Sequence, residues 1–222
     1  VPHHESERRI LIAVTLSFNR QKMRINCKTL IEGRNIGLVP YCPHHVLQYH
    51  QWMQSAELRA QTASEPLTLS QEYQMQQSWQ QDEDKCTFII LARKYWNGIK
   101  DAEIESMIGD VNLFFNNPND PHTAEIEIMI AKSEYRRKGF GSEALQAMMI
   151  YGITQLNTEK FVAKIGMDNT PSICLFNKLG FQQIDVSKVF EEVTLQFDTT
   201  HENVERLNKA TCHLKTKEYH RE

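Results

Sequence analysis

The chain contains no apolar run approaching the roughly 18 residues that a membrane-spanning helix needs, so a membrane partner is not expected. The nearest candidate, RRILIAVTL at 8–16, sets two arginines before a short apolar stretch in the manner of a signal peptide. No small-residue cleavage pattern follows it, and the polar SFNRQKMRIN comes instead. A disulfide or zinc signature is lacking too. Cys27, Cys42, Cys86, Cys174 and Cys212 are odd in number, widely spaced and free of any C-x-x-C pair. Free thiols fit a reducing compartment, and the cytoplasm is expected. Nor does one sign of charge dominate: 25 Lys and Arg face 28 Asp and Glu, a net charge of −3. That balance gives no overall attraction to nucleic acid, which is therefore not expected as a partner. Internal repeats and low-complexity tracts are absent.

What is present suits one sizeable globular domain: 222 residues, 41% hydrophobic and 24% charged. Residues 1–22 precede Met23 and an orderly domain start; they are expected to be an extension outside the fold. The domain is expected over 23–197, and 198–222 reads as a polar tail, a surface segment or a loose helix. Strands are predicted at 35–42, 86–94, 106–115, 124–131, 160–166, 181–186 and 189–197. Helices are predicted after Pro43, around 69–79 with Thr68 or Ser70 as N-cap, at 140–156, and at 169–180 with Gly180 just past its end. WNGIKDAEIE reads as a polar connection. Two early helices and a late hairpin favour an α/β fold on a mixed sheet over a fully parallel one.

The most informative block is EIEIMIAKSEYRRKGFGSEALQAMMIYGI, residues 125–153. An alternating strand leads through a cationic loop with two glycines into a helix. Glycines let backbone N–H groups close on an anion, and the helix start adds its unpaired N–H groups and positive dipole end. Arg136, Arg137 and Lys138 add charge, so the block reads as a diphosphate cradle. A P-loop would need a lysine after the second glycine, and none follows Gly141. Gly139, Gly141 and Ala144 do satisfy the dinucleotide fingerprint. The next strand, KFVAKIG, nevertheless offers Lys164 and Gly166 where that fold needs an acid for the ribose.

The pattern R-x-x-G-x-G at Arg136, Gly139 and Gly141, after an alternating strand, resembles the acetyl-coenzyme A motif of the Gcn5-related N-acetyltransferase (GNAT) superfamily. Downstream, NTPSICLFNKLGF at 169–181 resembles that superfamily's second motif. The phrases GLVPY, SEPLT, KCTFIIL and GDVNLFF look closer still to its N-acetyltransferase 9-like branch. The resemblance implies an α/β fold whose mixed sheet is splayed in the middle, with acetyl-coenzyme A in the splay as co-substrate and no metal. It implies backbone contacts from Met129, Ile130 and Ala131 to the pantetheine arm. Arg136, Arg137, Lys138, Gly139, Phe140, Gly141 and Ser142 would surround the diphosphate, with Asn169 and Phe176 near the thiol end. The branch further implies a protein or peptide amine as acceptor and a cytoskeletal (microtubule) association.

The proton chemistry is read from the residues. Glu125 and Glu127 lie two apart on a strand and share a face, with Ile126, Ile128 and Ile130 on the other. Glu127 is the first candidate general base and Glu125 the second. Phe176 stands where many members carry a tyrosine acid, and Lys164 where some carry a glutamate; neither can serve in that role. A thiol with a parent pKa near 8.5 leaves tolerably without an acid. A weak base suits an α-amine, which titrates near ~7.7–8.0, better than a lysine near ~10.4, a difference of roughly 3.5 kcal/mol in the free-amine population. The loop 62–71 is expected to wall the acceptor side. A catalytically weak coenzyme-binding interaction protein is the alternative. His44, His45 and His50 are not expected to hold a metal, since no carboxylate or cysteine completes the set. Cys174 is expected to be buried.

Overall fold

A computed structural model describes residues 26–96 and 101–220, and the expected extension at 1–22 lies outside them. Among these residues the strands are β1 (Thr29–Glu32), β2 (Ile36–Pro40), β3 (Lys85–Ala92), β4 (Met107–Phe114), β5 (Thr123–Ile130), β6 (Lys160–Gly166), β7 (Gln182–Ser187), β8 (Glu192–Asp198) and β9 (Lys215–Glu218). They form one sheet in the order β7-β8-β6-β5-β4-β3-β2-β1-β9. All pairings are antiparallel except β5 with β6. The helices are α1 (Val46–Trp52), α2 (Ala56–Gln61), α3 (Leu69–Gln81), α4 (Asp101–Ser106), α5 (Phe140–Leu156), α6 (Thr170–Leu179) and α7 (His201–Thr211).

Period-2 alternation divides the side chains between two cores. One face carries Leu38, Phe88, Ile90, Val111, Leu113, Ile126, Phe161 and Leu195, covered by Ala144, Leu145 and Met148 of α5, Phe176 of α6 and Leu207 of α7. The opposite face carries Val39, Ile89, Leu91 and Met129, covered by Val46, Tyr49 and Trp52 of α1 and by Met75 and Trp79 of α3. β3 is buried at all eight positions because both layers meet on it. Each fully buried Leu, Ile or Phe contributes about 1.5–3 kcal/mol, so this central strand anchors the fold. Gly109 lets β5 approach closely: a Cβ there would collide with the carbonyl oxygen of Met129.

The ends of the elements follow their local chemistry. Thr68 caps α3 in a reciprocal box with Gln71, so Thr68 and not Ser70 is the cap, and its N3 partner is Gln71. Gly180 closes α6 at φ 99°. The cover over the second core includes α4, which occupies part of the segment expected as a polar connection.

The segment after Asp198 differs from the tail read in the sequence. It forms α7, capped by the Thr200 hydroxyl on the Asn203 amide, and then β9, which pairs with β1 from Thr29↔Glu218 to Glu32↔Lys215. β1 itself lies in a stretch where no strand was expected. Both strands are four residues long, and neither pattern stands out until the partner is known. The two ends are also tied through α5. The buried Glu143 carboxylate accepts from the amides of Arg34 and Asn35, from the Asn35 side chain at 3.1 Å and from His213 Nε2 at 3.0 Å. Cys174, expected inside, is exposed on α6, whose inward face is carried by Phe176.

Candidate active site

β5 and β6 pair only from Thr123↔Lys160 to Glu125↔Val162 and separate beyond, which opens a gap beside residues 126–130. On its other edge β5 is engaged by β4 along its length; the Ala131 amide donates to the Ile108 carbonyl at 2.8 Å. Antiparallel ladders alternate, so the main-chain groups of Ile128 and Ile130 turn the opposite way, toward the gap. The Ile130 carbonyl is taken by Arg136 Nε at 2.9 Å. Of the three residues expected to offer backbone to a pantetheine arm, Ala131 therefore has its amide spent inside the sheet, and Met129 lies in register with Asp110. Ile130 keeps its amide toward the gap.

The gap leads to the glycine loop. A short turn at Ser133–Tyr135 is followed by extended Arg136, then by two left-handed residues, Arg137 at φ 58° and Gly139 at φ 89°. Gly139 is the N-cap of α5 and supplies no side chain to it. The first intrahelical bond runs from the Glu143 amide to the Gly139 carbonyl at 3.0 Å, which leaves the N–H groups of Phe140, Gly141 and Ser142 without helical partners. A Cβ on Gly139 would meet nothing within 4 Å, so the turn that starts the helix is uncrowded, and free amides at such a start suit an anionic group. Gly141 has a different surrounding. A Cβ there would lie 3.5–3.7 Å from Leu175, Ile128 and Ile130, in ordinary contact with the packed side of the helix.

Arg137 and Lys138 are exposed beside this space. Arg136 is not free: its guanidinium also pairs with Glu57 of α2 at 2.8 Å, so in this structure it orders the loop and α2. Asn169 caps α6, its Oδ1 accepting from the Ser172 amide at 3.3 Å. Phe176 is 3% exposed, edge-to-face on Phe181 at 4.9 Å, and belongs to the core. The loop around 62–71 joins α2 to α3, its last residues already helical.

The two glutamates share a face as expected, with the isoleucines of β5 opposite. Glu125 is bound to Lys164 Nζ at 2.8 Å across the β5–β6 pair. Glu127 has an open side toward solvent, yet desolvation by the surrounding protein, then the neighbouring Glu125, pushes its carboxyl up to about 7. Two groups that the sequence reading overlooked lie on the same face. Asp110 is buried and pushed up to about 6, chiefly by desolvation. Lys85 is buried and brought down to about 7 for the same reason. The signal existed in GDVNLFF, where Asp110 and Asn112 alternate within an apolar strand.

His44 and His45 meet a partner far away in the chain. Nε2 of each lies 2.8 and 2.9 Å from Glu103 Oε1, and the Tyr219 hydroxyl donates to the same oxygen at 2.8 Å. Cys42, His44 and His45 also bring their ligand atoms within 4.8 Å of one another, so the cysteine and carboxylate judged missing are both at hand. A cleft of about 280 Å³ beside Ile150, Thr154, Cys212 and Leu214 opens at the far end of α5 from the glycine loop. Among the described residues no helix is long and apolar enough to cross a membrane.

A mixed sheet parted beside β5, with an uncapped helix start and a left-handed glycine at the mouth of the gap, defines an acyl-coenzyme A transferase fold. The family model described as "Acetyltransferase (GNAT) domain" matches residues 35–182, and the chain belongs to this family of acetyl-coenzyme A dependent N-acetyltransferases, in its N-acetyltransferase 9-like branch. An N-acetyltransferase 9-like protein of Nematostella vectensis is 60% identical over 80% of this chain and 89% of its own length. An alpha/beta-tubulin-N-acetyltransferase 9 of Homo sapiens is 50% identical over 89% of this chain and 96% of its own. A crystal structure of spermidine N-acetyltransferase from Vibrio cholerae with CoA and spermine aligns at TM-score 0.62 and 17% identity, covering 74% of this chain and 94% of that one. A GNAT-family acetyltransferase from Bacillus anthracis aligns at 0.61 and 16%, covering 76% and 98%. These distant structures share the fold.

Proposed function

We propose that the chain moves an acetyl group from acetyl-coenzyme A to the α-amine of a protein, with Glu127 as the general base. The mammalian relatives are named alpha/beta-tubulin-N-acetyltransferase 9, which supports a tubulin chain as the acceptor. When bound, the coenzyme supplies an acyl group already activated as a thioester. The amides of residues 139–142, with Arg137 and Lys138, would hold its diphosphate, and the Ile130 amide its arm. Asn169 stands at the start of α6 across the gap, suited to the thiol end.

The observation that carries the reading is the placement of Glu127, accessible to solvent on β5 where the sheet parts while Lys164 holds its neighbour Glu125; desolvation by the surrounding protein pushes its carboxyl up to about 7 in support. A base with that pKa takes a proton from an ammonium group near ~8 far more readily than from lysine near ~10.4. Its deprotonated form is the active one. The rate should therefore rise about tenfold per unit below pH ~7 and level above it, once the carboxylate is ionised.

The test compares two peptides in a thiol-release assay, one with a free tubulin N-terminus and one Nα-blocked with an internal lysine. The product is located by mass spectrometry. Transfer to the free α-amine is expected, and Glu127→Gln should lower kcat by about 10²–10⁴ while acetyl-coenzyme A affinity holds. Equal modification of the blocked peptide would refute the α-amine assignment. Coenzyme binding without turnover on any amine would favour an interaction protein instead.

A further inference from the structure

The register across β3, β4 and β5 lays the polar side chains out in rows. Asn112 pairs directly with Glu127, Asp110 sits one row further on opposite Met129, and Lys85 pairs with Phe114, itself opposite Glu125. All point to the same side of the sheet. The Thr87 hydroxyl donates to Asn112 Oδ1 at 2.6 Å, and Asn112 Nδ2 donates to Asp110 Oδ2 at 2.6 Å. These bonds fix Asp110 without neutralising it. Its second oxygen, Oδ1, is buried with no hydrogen-bond partner, although the residue is only 2% exposed. Lys85 is 3% exposed, and its Nζ rests on ring faces, 2.8 Å from the centroid of Trp79 and 4.2 Å from that of Phe114.

Burying two opposite charges apart is costly, and apolar side chains would stabilise the same layer more cheaply. A structural pair would close into a direct ion pair. Here each charge is instead held in place by neutral neighbours, Asp110 diagonal to Glu127 across the β4–β5 pair and Lys85 one strand further away. The pull on Glu127 is opposed in sign: Asp110 disfavours its ionised form and Lys85 favours it.

We infer that Lys85 and Asp110 are positioning residues which set the protonation of Glu127 from opposite directions. The inference rests on the proposed base role for its catalytic meaning, but the coupling itself does not. Other groups contribute to the same field. Glu125 and Lys164 face Glu127 from β5 and β6, Asp82 lies at the end of α3 near Lys85, and Glu72 with Tyr41 and Tyr49 lies on the side of Asp110. All of these stay unchanged in the test.

The test titrates the Glu127 carboxyl by carbon-13 NMR in the full chain without acceptor, the signal assigned by its loss in Glu127→Gln. Asp110→Asn keeps size and both row contacts. Lys85→Met keeps the stem on the Trp79 ring, and Lys85→Arg restores the charge. At diagonal strand spacing of about 7–8 Å and an effective dielectric near ~20, Asp110 is expected to move the midpoint by about one pH unit after solvent screening, and Lys85, one strand further off, by about half as much. Asp110→Asn should lower the midpoint, Lys85→Met should raise it, and Lys85→Arg should return it toward the parent value. The acidic limb of kcat/KM should follow in the same opposed directions while coenzyme affinity holds. Shifts in one direction only, or none, in variants that still bind acetyl-coenzyme A would overturn the inference. Opposed carboxyl shifts without the matching movement of kcat/KM would uphold the coupling and count against Glu127 as the base.

Discussion

The two glycines of the loop should respond differently to the same small change, because one faces open space in a left-handed backbone and the other faces packed side chains. Gly139 has φ 89° and ψ −11°, and alanine there meets a left-handed penalty of about 1–2 kcal/mol. The loop relieves the strain by turning its amides away, so acetyl-coenzyme A affinity should fall about 5- to 30-fold. Gly141 sits in the first turn of α5, where its Cβ would make contacts of 3.5–3.7 Å and where alanine favours the helix by about 0.5–1 kcal/mol. Gly141→Ala should thus keep coenzyme affinity within about twofold and raise Tm by about 1–4 °C. Calorimetric titration with acetyl-coenzyme A and a thermal scan of each single variant read both effects. If Gly141→Ala loses as much affinity as Gly139→Ala, or if Gly139→Ala binds like the parent, the cradle is wrongly drawn.

Three further expectations concern the frame around the site. Glu143→Ala leaves two backbone amides, the Asn35 side chain and His213 without their acceptor, and should destabilise the fold by about 3 kcal/mol or more in urea titration; a loss under about 1 kcal/mol would mean that water replaces the clamp. Phe176→Ala should cost about 3–5 kcal/mol through the core, while the folded fraction binds acetyl-coenzyme A as before; selective loss of coenzyme affinity would return Phe176 to the ligand site. Truncation after Thr199 removes α7 and β9 and bares the edge of β1, so the shortened chain should aggregate or unfold without a cooperative transition; a soluble, cooperatively folding product would show that the last 23 residues are dispensable.

Legibility followed the range of the interaction that decides each feature. Strand faces and helix starts are local, so the isoleucines of β5, the extent of α5 and the Gly180 stop could be read from spacing, and the cap of α3 could be narrowed to Thr68 or Ser70. β9 could not, because it is a four-residue strand whose one partner lies nearly two hundred positions away, and β1, equally short, was passed over although β2 lies only a few residues on. The same applies to His44 and His45, whose carboxylate comes from Glu103. In the site, the motif located the loop and the gap but could not tell Gly139 from Gly141, since that distinction depends on what packs behind α5. Arg136 looked free for a phosphate because Glu57 is 79 residues away. Asp110 and Lys85 were passed over for a further reason: alternation says which face a residue takes, whereas the row it shares with Glu127 is fixed by register across three strands.

On the proposed function, that register would let one strand serve two reagents. Along β5 the even positions, Ile126, Ile128 and Ile130, pack against α5 and α6, and the main-chain groups of Ile128 and Ile130 also turn toward the gap. The odd positions, Glu125 and Glu127, project through the other side, past the cover of α1 and α3. A coenzyme in the gap and an amine arriving from the open face would then meet at the strand edge from opposite sides, with the base already on the acceptor's side. A slip of one residue in the β4–β5 pairing would drive both glutamates into the apolar core and expose the isoleucines. Gly109 opposes such a slip, because any residue with a Cβ brought to its place would collide with the Met129 carbonyl of β5. The close approach at Gly109 therefore keeps Glu127 on the face that carries Met129 and Asp110.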